Sequence, residues 1–413
     1  MWFEAFFWPE PLRLWPIVND NVLHPLTISS IEFPTTPVTS VLIYNASWSM
    51  FGGGEKYVCM LADVLSQTGI HEVSLLSDNP SITKDALRQY FNLDLARVHL
   101  LSVRTDEIRD CLARANIAVV VSNFKPYGNR AKKNVYVLQI PYPKITSPRV
   151  AGKALRGHWK EAGKDVFRQL LLRDARSADL VLVYSDFVGK TLHTHHGITS
   201  EVLYPPIDDF GGKATVKEPV ILSVGRFFTG LYNDKRYDVL IEAFKKLREQ
   251  LPNTSWQYRL VGSCAEDEAS QRYLAKLRKA AEGHPIYFHV NSPYADLRRH
   301  YQEATLFWHA TGFGMDEARE PERMEHFGMS TVEAMSAECV PIVINRGGQK
   351  EIVSHGESGY LWNTVDELVQ LTAQVIQNPA MIARVRQNVR ARFTGFDRQH
   401  FSDRLLSLMR RLT

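Results

Sequence analysis

The sequence predicts an α/β protein built from two doubly wound, Rossmann-like domains facing a cleft. Three observations carry that expectation. Short, wholly apolar runs alternate with helical patterns, the mark of parallel strands buried on both faces. The alternation occurs twice, on either side of YPPIDDFGGKATVKEP (Tyr204–Pro219). That stretch concentrates Pro, Gly and polar residues, as a linker does, and no tandem repeat points to a solenoid.

Residues 1–40 open with MWFEAFFWPEPLRLW and read as an irregular extension whose aromatics pack on the body of the protein. The opening lacks a basic n-region and a small-residue cleavage site, so a signal peptide fits poorly. The first strand is expected at Val38–Ser47, followed by a glycine turn and a helix over Gly54–Gln67. EVSLLSD, RVHLLSV, IAVVVSN, VYVLQIP and LVLVYSD then complete a first domain at 41–205. After a linker at 206–218, VILSVG, YRLVGS, IYFHV, ATLFWHA and VPIVIN supply a second domain, 219–390. Helices at Tyr237–Gln250 and Ala269–Glu282 intervene. Pro379–Leu412 reads as helical and basic, and 391–413 as a helix packing back toward the first domain. Two such domains joined by a hinge place ligands at the carboxyl ends of their strands.

Composition bounds the function. Of 413 residues, 45% are hydrophobic and 23% charged, and no apolar run approaches the roughly 18 residues of a membrane-spanning helix. Cys59, Cys111, Cys264 and Cys339 are scattered without a CxxC pair. Buried thiols in a reducing compartment fit that pattern; a disulfide framework or a zinc site does not. The histidines show no metal-binding spacing, and His193, His195 and His196 are expected to be solvated at a helix end. No GxSxG marks a serine nucleophile. A net charge of +4 is too small to imply nucleic acid. Between Lys125 and Arg176, however, thirteen Lys/Arg face three acids. A solvated surface and a patch for anionic lipid or a phosphorylated acceptor both fit that excess.

The segment MEHFGMSTVEAMSAECVPIVINRGGQKEIV carries the strongest chemical signal. Glu325 and Glu333 are separated by seven residues, with HFGMST between them. Ser330-Thr331-Val332-Glu333 has capping-box spacing, which predicts a helix from Ser330 to Ala337 with Glu333 bonded to the Ser330 amide. That structural role explains neither Glu325 nor the Phe327-Gly328 pair. Free amides at such a start form an anion site suited to a diphosphate, and a carboxylate in that turn can accept both hydroxyls of a ribose. A second constellation is VILSVGRFFTGLYNDKRYDVLIEAF, where Arg226 follows a strand and Lys235 precedes a helix. A third is SMFGGGEKYV, whose glycines permit close approach of backbone to a ligand, or simply a tight turn.

The glutamate segment resembles the E-x7-E motif of retaining glycosyltransferases of the GT-B fold, family 4 (glycosyl transferases group 1). Its EHFG opening is similar to that of lipid-linked-oligosaccharide mannosyltransferases. The resemblance implies that Glu325 sits beside the donor sugar. Phe327, Gly328, Met329 and Ser330 would then present amides to sugar and phosphate, with Thr331 following, and Glu333 would bind the ribose. Arg226 and Lys235 resemble the pair that clamps the donor diphosphate, acting with Glu325 as catalytic residues. Asn291 is placed among the donor-binding residues. Gly53, Gly54 and Glu55 match a GGxE turn near the diphosphate and acceptor. Gly347-Gly348, Glu351 and HGESGYLW also fit the family.

Three departures stand out. Gln139 occupies the place where the family often has histidine, which marks the acceptor side. Glu338 replaces a helix-ending glycine, at an expected cost of about 1 kcal/mol in a left-handed conformation. Thr311–Met324 forms an acidic loop longer than is typical, suited to gating the donor sugar or contacting the acceptor.

The resemblance implies a retaining hexosyltransferase that uses no metal or other cofactor, consistent with the lack of a DxD motif. Its co-substrate would be a nucleotide diphosphate sugar, with GDP-mannose favoured and a UDP-sugar the other candidate. The acceptor would be a glycan, lipid-linked or other anionic molecule, and no nucleic acid is involved. A cytoplasmic protein in peripheral contact with the cytoplasmic face of a membrane follows from the same reading. Two alternatives remain open in the sequence: another GT-B enzyme such as a nucleotide-sugar epimerase, and a catalytically silent nucleotide-sugar-binding subunit, which the Gln139 departure favours.

Overall fold

The computed structural model describes residues 39–46, 48, 52–69, 71–211, 216–228 and 234–412. The expected extension at 1–40 thus lies outside the described residues, Thr39 and Ser40 apart, as do parts of the linker and of the segment between Arg226 and Lys235. The chain divides into two compact units. One comprises residues up to Tyr184 with Val188–Pro205 and Ser402–Thr413; the other comprises Ser185–Phe187 and Pro206–Phe401.

The first unit runs β1 (Thr39–Asn45), α1 (Gly53–Gln67), β2 (His71–Ser77), α2 (Lys84–Phe91), β3 (Val98–Ser102), α3 (Ile108–Ala113), β4 (Ile117–Val121) and β5 (Lys133–Leu138). It continues through α4 (Ser147–Leu155), α5 (Trp159–Arg176), β6 (Leu180–Val183), α6 (Asp186–His196) and β7 (Glu201–Val202). The strands form one sheet in the order β3-β2-β1-β4-β5-β6-β7, and every pairing is parallel. Wholly apolar strands such as Ile117–Val121 are buried throughout because helices cover both faces. Winding reverses between β1 and β4.

The second unit runs β8 (Glu218–Val224), α7 (Tyr237–Gln250), β9 (Gln257–Gly262), α8 (Glu268–Ala281), β10 (Ile286–Val290), α9 (Tyr294–Glu303) and β11 (Ala304–His309). There follow α10 (Met329–Ser336), β12 (Val340–Ile344), α11 (Gln349–Ile352), β13 (Tyr360–Trp362), α12 (Val365–Gln377) and α13 (Pro379–Phe393); α14 (Arg398–Met409) starts here, and its residues from Ser402 on belong to the first unit. Its parallel sheet has the order β10-β9-β8-β11-β12-β13, so winding reverses between β8 and β11. The core centres on Trp308, against which Phe244 and Tyr258 pack with ring centroids 6.4 and 5.5 Å away. The Trp308 indole donates to Thr372 Oγ1 at 3.1 Å, so this fully buried side chain keeps its polar atom paired.

Two local expectations are corrected. The C-terminal segment is two helices, α13 and α14, parted by a 3-10 turn at Thr394–Phe396. There Phe396 is buried and its carbonyl accepts from the Ile207 amide at 3.1 Å, which turns the chain. The histidine cluster at the end of α6 is not wholly solvated. His195 and His196 are half-buried and reach the Tyr142 carbonyl at 3.1 and 3.3 Å, while His193 is exposed.

Candidate functional site

The reversal between β8 and β11 brings the carboxyl ends of those two strands side by side, the place where open α/β sheets bind ligands. Gly225 and Arg226 leave β8 there. The close approach of Lys235 requires Gly225: a Cβ at that position would stand 2.9 Å from Lys235 Cγ. Lys235 thereby lies along the strand end, and its Nζ donates to Glu325 Oε2 at 2.6 Å.

His309, the last residue of β11, completes the group. Its Nε2 lies 3.0 Å from Glu325 Oε2 and 3.3 Å from Thr311 Oγ1. Burial pushes the His309 imidazole below its ordinary value, against the opposing pull of Glu325. A neutral ring facing a carboxylate must carry its proton on Nε2, so His309 donates to Glu325. Its Nδ1 is buried without a hydrogen-bond partner. Burial also acts against the Glu325 charge. Lys235 and the His309 hydrogen bond outweigh it, and hold Glu325 well below the usual carboxylate range. Glu325 is therefore a fixed, desolvated anion, 8% exposed.

Further along the chain, Glu333 does something different from the expected capping box. The cap of α10 is Gly328, at φ 123°, with no side chain closing the helix start. The helix begins at Met329 and ends at Ser336, so Glu333 stands beyond the first turn. Its carboxylate accepts instead from the buried Tyr301 hydroxyl at 2.7 Å. The carboxylate half of a capping box belongs to Glu55, whose Oε2 accepts from the Gly52 amide at 2.6 Å at the start of α1. A Cβ at Gly328 would meet Gln349 Nε2 at 2.8 Å. Gln349 is fully buried, and both atoms of its amide lack partners, as does Thr331 Oγ1.

The remaining expected residues divide by position. Phe327 is buried, its ring 5.6 Å from that of Phe396. Met329 and Ser330, both half-buried, occupy the first turn of α10. Arg226 is exposed, its guanidinium 5.0 Å from the Phe228 ring centroid. Asn291 follows β10 in a left-handed conformation, and its Oδ1 accepts from the Cys264 amide at 2.9 Å, so it braces the turn after β9. In the first unit, Gly54 and Gln139 are neighbours: a Cβ on Gly54 would lie 3.5 Å from the Gln139 amide. Gln139 donates to the Tyr184 hydroxyl at 2.7 Å and accepts from Asn123 at 2.9 Å. Gly53 opens α1 beside them.

The long acidic segment folds onto the same region. Glu317 accepts from the Gly347 amide at 2.9 Å and pairs with Lys350 at 2.5 Å. Arg236, beside Lys235, donates to the Phe313 carbonyl. Glu351 accepts from the Asp186 and Phe187 amides. Sequence reasoning missed His309, Tyr301 and Gln349. Only His309 carried a signal, as the polar residue closing an apolar run at a strand's carboxyl end.

Residues 207–392, which contain all of this second-unit site, match the model of the family described as glycosyl transferases group 1. That match falls within the second unit. A Xenopus laevis relative matches part of the chain. That protein, GDP-Man:Man(3)GlcNAc(2)-PP-Dol alpha-1,2-mannosyltransferase, is 29% identical over 227 residues, which is 50% of this chain and 43% of the relative. The chain thus spans less than half the length of the mannosyltransferase relatives it matches. A glycosyltransferase from Rickettsia africae aligns with a TM-score of 0.67 at 14% identity, over 91% of this chain and 99% of that one. Anabaena Alr3699/HepE in complex with UDP-glucose aligns at 0.62 and 16%, over 90% and 99%. The architecture is GT-B: two parallel-sheet, Rossmann-like units.

Proposed function

We propose that the protein is a retaining, metal-independent hexosyltransferase. It moves a mannose- or glucose-type sugar from a nucleotide diphosphate sugar to a hydroxyl of a glycan or lipid-linked acceptor. The observation that carries this reading is the Lys235–Glu325–His309 group at the β8/β11 reversal, inside the matched family region. Glu325 is held ionised where positive charge would develop on the sugar's anomeric carbon. Lys235 has further N–H donors beside the one on Glu325, and Arg226 adds a second cation, so both can offset charge gathering on a departing diphosphate. The amides of Gly328, Met329, Ser330 and Thr331 at the start of α10 would add to that stabilisation.

In the reaction, the bond from the anomeric carbon to the diphosphate oxygen breaks. The acceptor oxygen bonds to the same face, and its proton passes to the leaving oxygen. Protein side chains position the partners and stabilise charge; none forms a bond to the sugar. Glu333 and Asn291 are assigned to the nucleotide side. Gly53, Gly54, Glu55 and Gln139 are assigned to the diphosphate and acceptor. GDP-mannose is the favoured donor, since the EHFG segment and the mannosyltransferase relative agree on it. A UDP-sugar is the competitor, as in the Alr3699/HepE complex. We place the protein at the cytoplasmic face of a membrane, in peripheral contact.

The test is a thermal-shift screen with GDP, UDP, ADP and TDP, followed by transfer assays with the matching sugar donor. A ligand at about 100 times its Kd stabilises the fold by about 2.7 kcal/mol, which such a screen resolves. Stabilisation by one nucleotide, and its sugar consumed only when an acceptor is present, supports the reading. Sugar conversion without acceptor would identify an epimerase; nucleotide binding without transfer would identify a silent subunit.

A further inference from the structure

Helices α4 and α5 form a hairpin whose interior is fixed by an ion-pair group. Asp165, 1% exposed, accepts from Lys153 at 2.5 Å and from Arg168 at 3.0 Å, so one helix is tied to the other. The inward face of α5 is spent on Ala162, Asp165, Leu171, Leu172 and Ala175. Its outward end is of another kind. Every residue from Leu155 to Lys160 is exposed: Leu, Arg, Gly, His, Trp, Lys. Leu155 is 87% exposed and Trp159 69%. Val166, seven residues after Trp159 and so on the same face of α5, is 43% exposed.

These positions hold three of the seven large hydrophobic side chains exposed among the described residues. No acidic residue interrupts 155–160, and the tip lies in the most cationic stretch of the chain. A protruding six-residue tip cannot supply the roughly 800 Å² per side that a stable protein partner needs. A bilayer accepts it without such a surface. Tryptophan and leucine enter the region between headgroups and acyl chains, while Arg and Lys keep their charges at the phosphates. The eight charged residues of α5 keep that helix on the surface rather than across it.

We propose that Leu155–Lys160, the tip of the α4–α5 hairpin, docks the protein on an anionic bilayer, with Leu155 and Trp159 inserted and Arg156 and Lys160 on lipid phosphates. This gives the peripheral contact proposed above a location, and it does not depend on the sugar-transfer reading. The test floats the full chain with vesicles of phosphatidylcholine alone or mixed with phosphatidylglycerol. The unaltered protein should float with the anionic vesicles and be released by salt. Each cation near such a surface contributes about fivefold in affinity. Arg156→Glu with Lys160→Glu, and separately Leu155→Ser with Trp159→Ser, should therefore lower partitioning tenfold or more. Lys276→Glu, on α8 of the other unit, should leave it unchanged.

Nucleotide-induced thermal shift, measured on every variant, reports folding and the donor site apart from the bilayer. Retained shift with lost flotation supports docking through the tip. Flotation of both tip variants at the unaltered level, equal binding to neutral vesicles, or self-association that the tip variants abolish would overturn the proposal. Lost nucleotide binding with intact flotation would count against sugar transfer alone.

Discussion

Lys235 and Glu325 lie ninety positions apart in the chain, yet Nζ meets Oε2 at 2.6 Å, with side chains only 15% and 11% exposed. Removing one member of such a pair leaves a desolvated charge, which costs about 3–5 kcal/mol in buried cases. Lys235→Met alone should therefore lose about 3 kcal/mol in urea unfolding. With Glu325→Gln added, both charges are gone and much of that loss should return. Sugar transfer should stay at least about a hundredfold down in both variants, because fixed charge at the reacting group is what they lack. Equal instability of single and double variants would show that the pair is not coupled.

Arg226 offers the complementary case. It is exposed and lies over Phe228, so Arg226→Ala should shift stability by no more than about 0.5 kcal/mol. Transfer should nevertheless fall about tenfold to a hundredfold. Near-normal turnover by a folded Arg226→Ala protein would remove this residue from the diphosphate clamp.

The two parallel sheets were legible because buried strands declare themselves by composition alone, as Ile117–Val121 and Val340–Ile344 do. Side-chain partnerships were not. Ser-Thr-Val-Glu spacing pointed to Glu333 as a cap, but α10 starts one residue earlier, behind Gly328, and Tyr301, from α9, captures the carboxylate. Glu55 does cap its helix, since Gly52 and Glu55 are local neighbours, but Gly52 lacks the Ser/Thr hydroxyl that marks the motif. His309 is missed for a related reason. At the end of ATLFWH it resembles a core residue, and only the fold brings Glu325 to it.

Gly328 combines two demands that a side chain cannot meet. Its φ is 123°, and a Cβ would stand 2.8 Å from Gln349 Nε2 and 3.0 Å from Ile352 Cδ1. Gly328→Ala should cost about 2–4 kcal/mol. Adding Gln349→Ala should recover the steric part and leave the conformational part. No recovery in the double variant, read by denaturant titration, would mean that Gln349 is not the obstacle.

Glu338 follows α10 at φ 62°, where the sequence suggested a left-handed residue in place of glycine. Its carboxylate pairs with Arg386 at 2.6 Å, at a half-exposed site where such pairs contribute little. Glu338→Gly and Glu338→Ala lose that pair alike and differ only in backbone strain. The glycine variant should be more stable than the alanine variant by about 1 kcal/mol. Equal midpoints in urea would place the strain elsewhere.

His289 and His300 contribute to the response to acid. Their rings stack with centroids 4.1 Å apart, and His289 Nε2 and His300 Nδ1 are buried without partners. Burial, then the neighbouring imidazole and the Arg259 and Arg299 cations, push His300 down to about 4, against the weaker pull of Asp296. Burial and the same two arginines lower His289, with Glu303 and Asp296 opposing. A histidine whose folded value lies below its unfolded one disfavours protonation in the native state. The stability it contributes is complete above about pH 6.5 and drains away as pH falls toward 4. The fold should lose about 2 kcal/mol across that window from His300. His300→Gln should flatten this part of the profile of unfolding free energy against pH, whereas a profile unchanged by the substitution would assign the acid response to other groups.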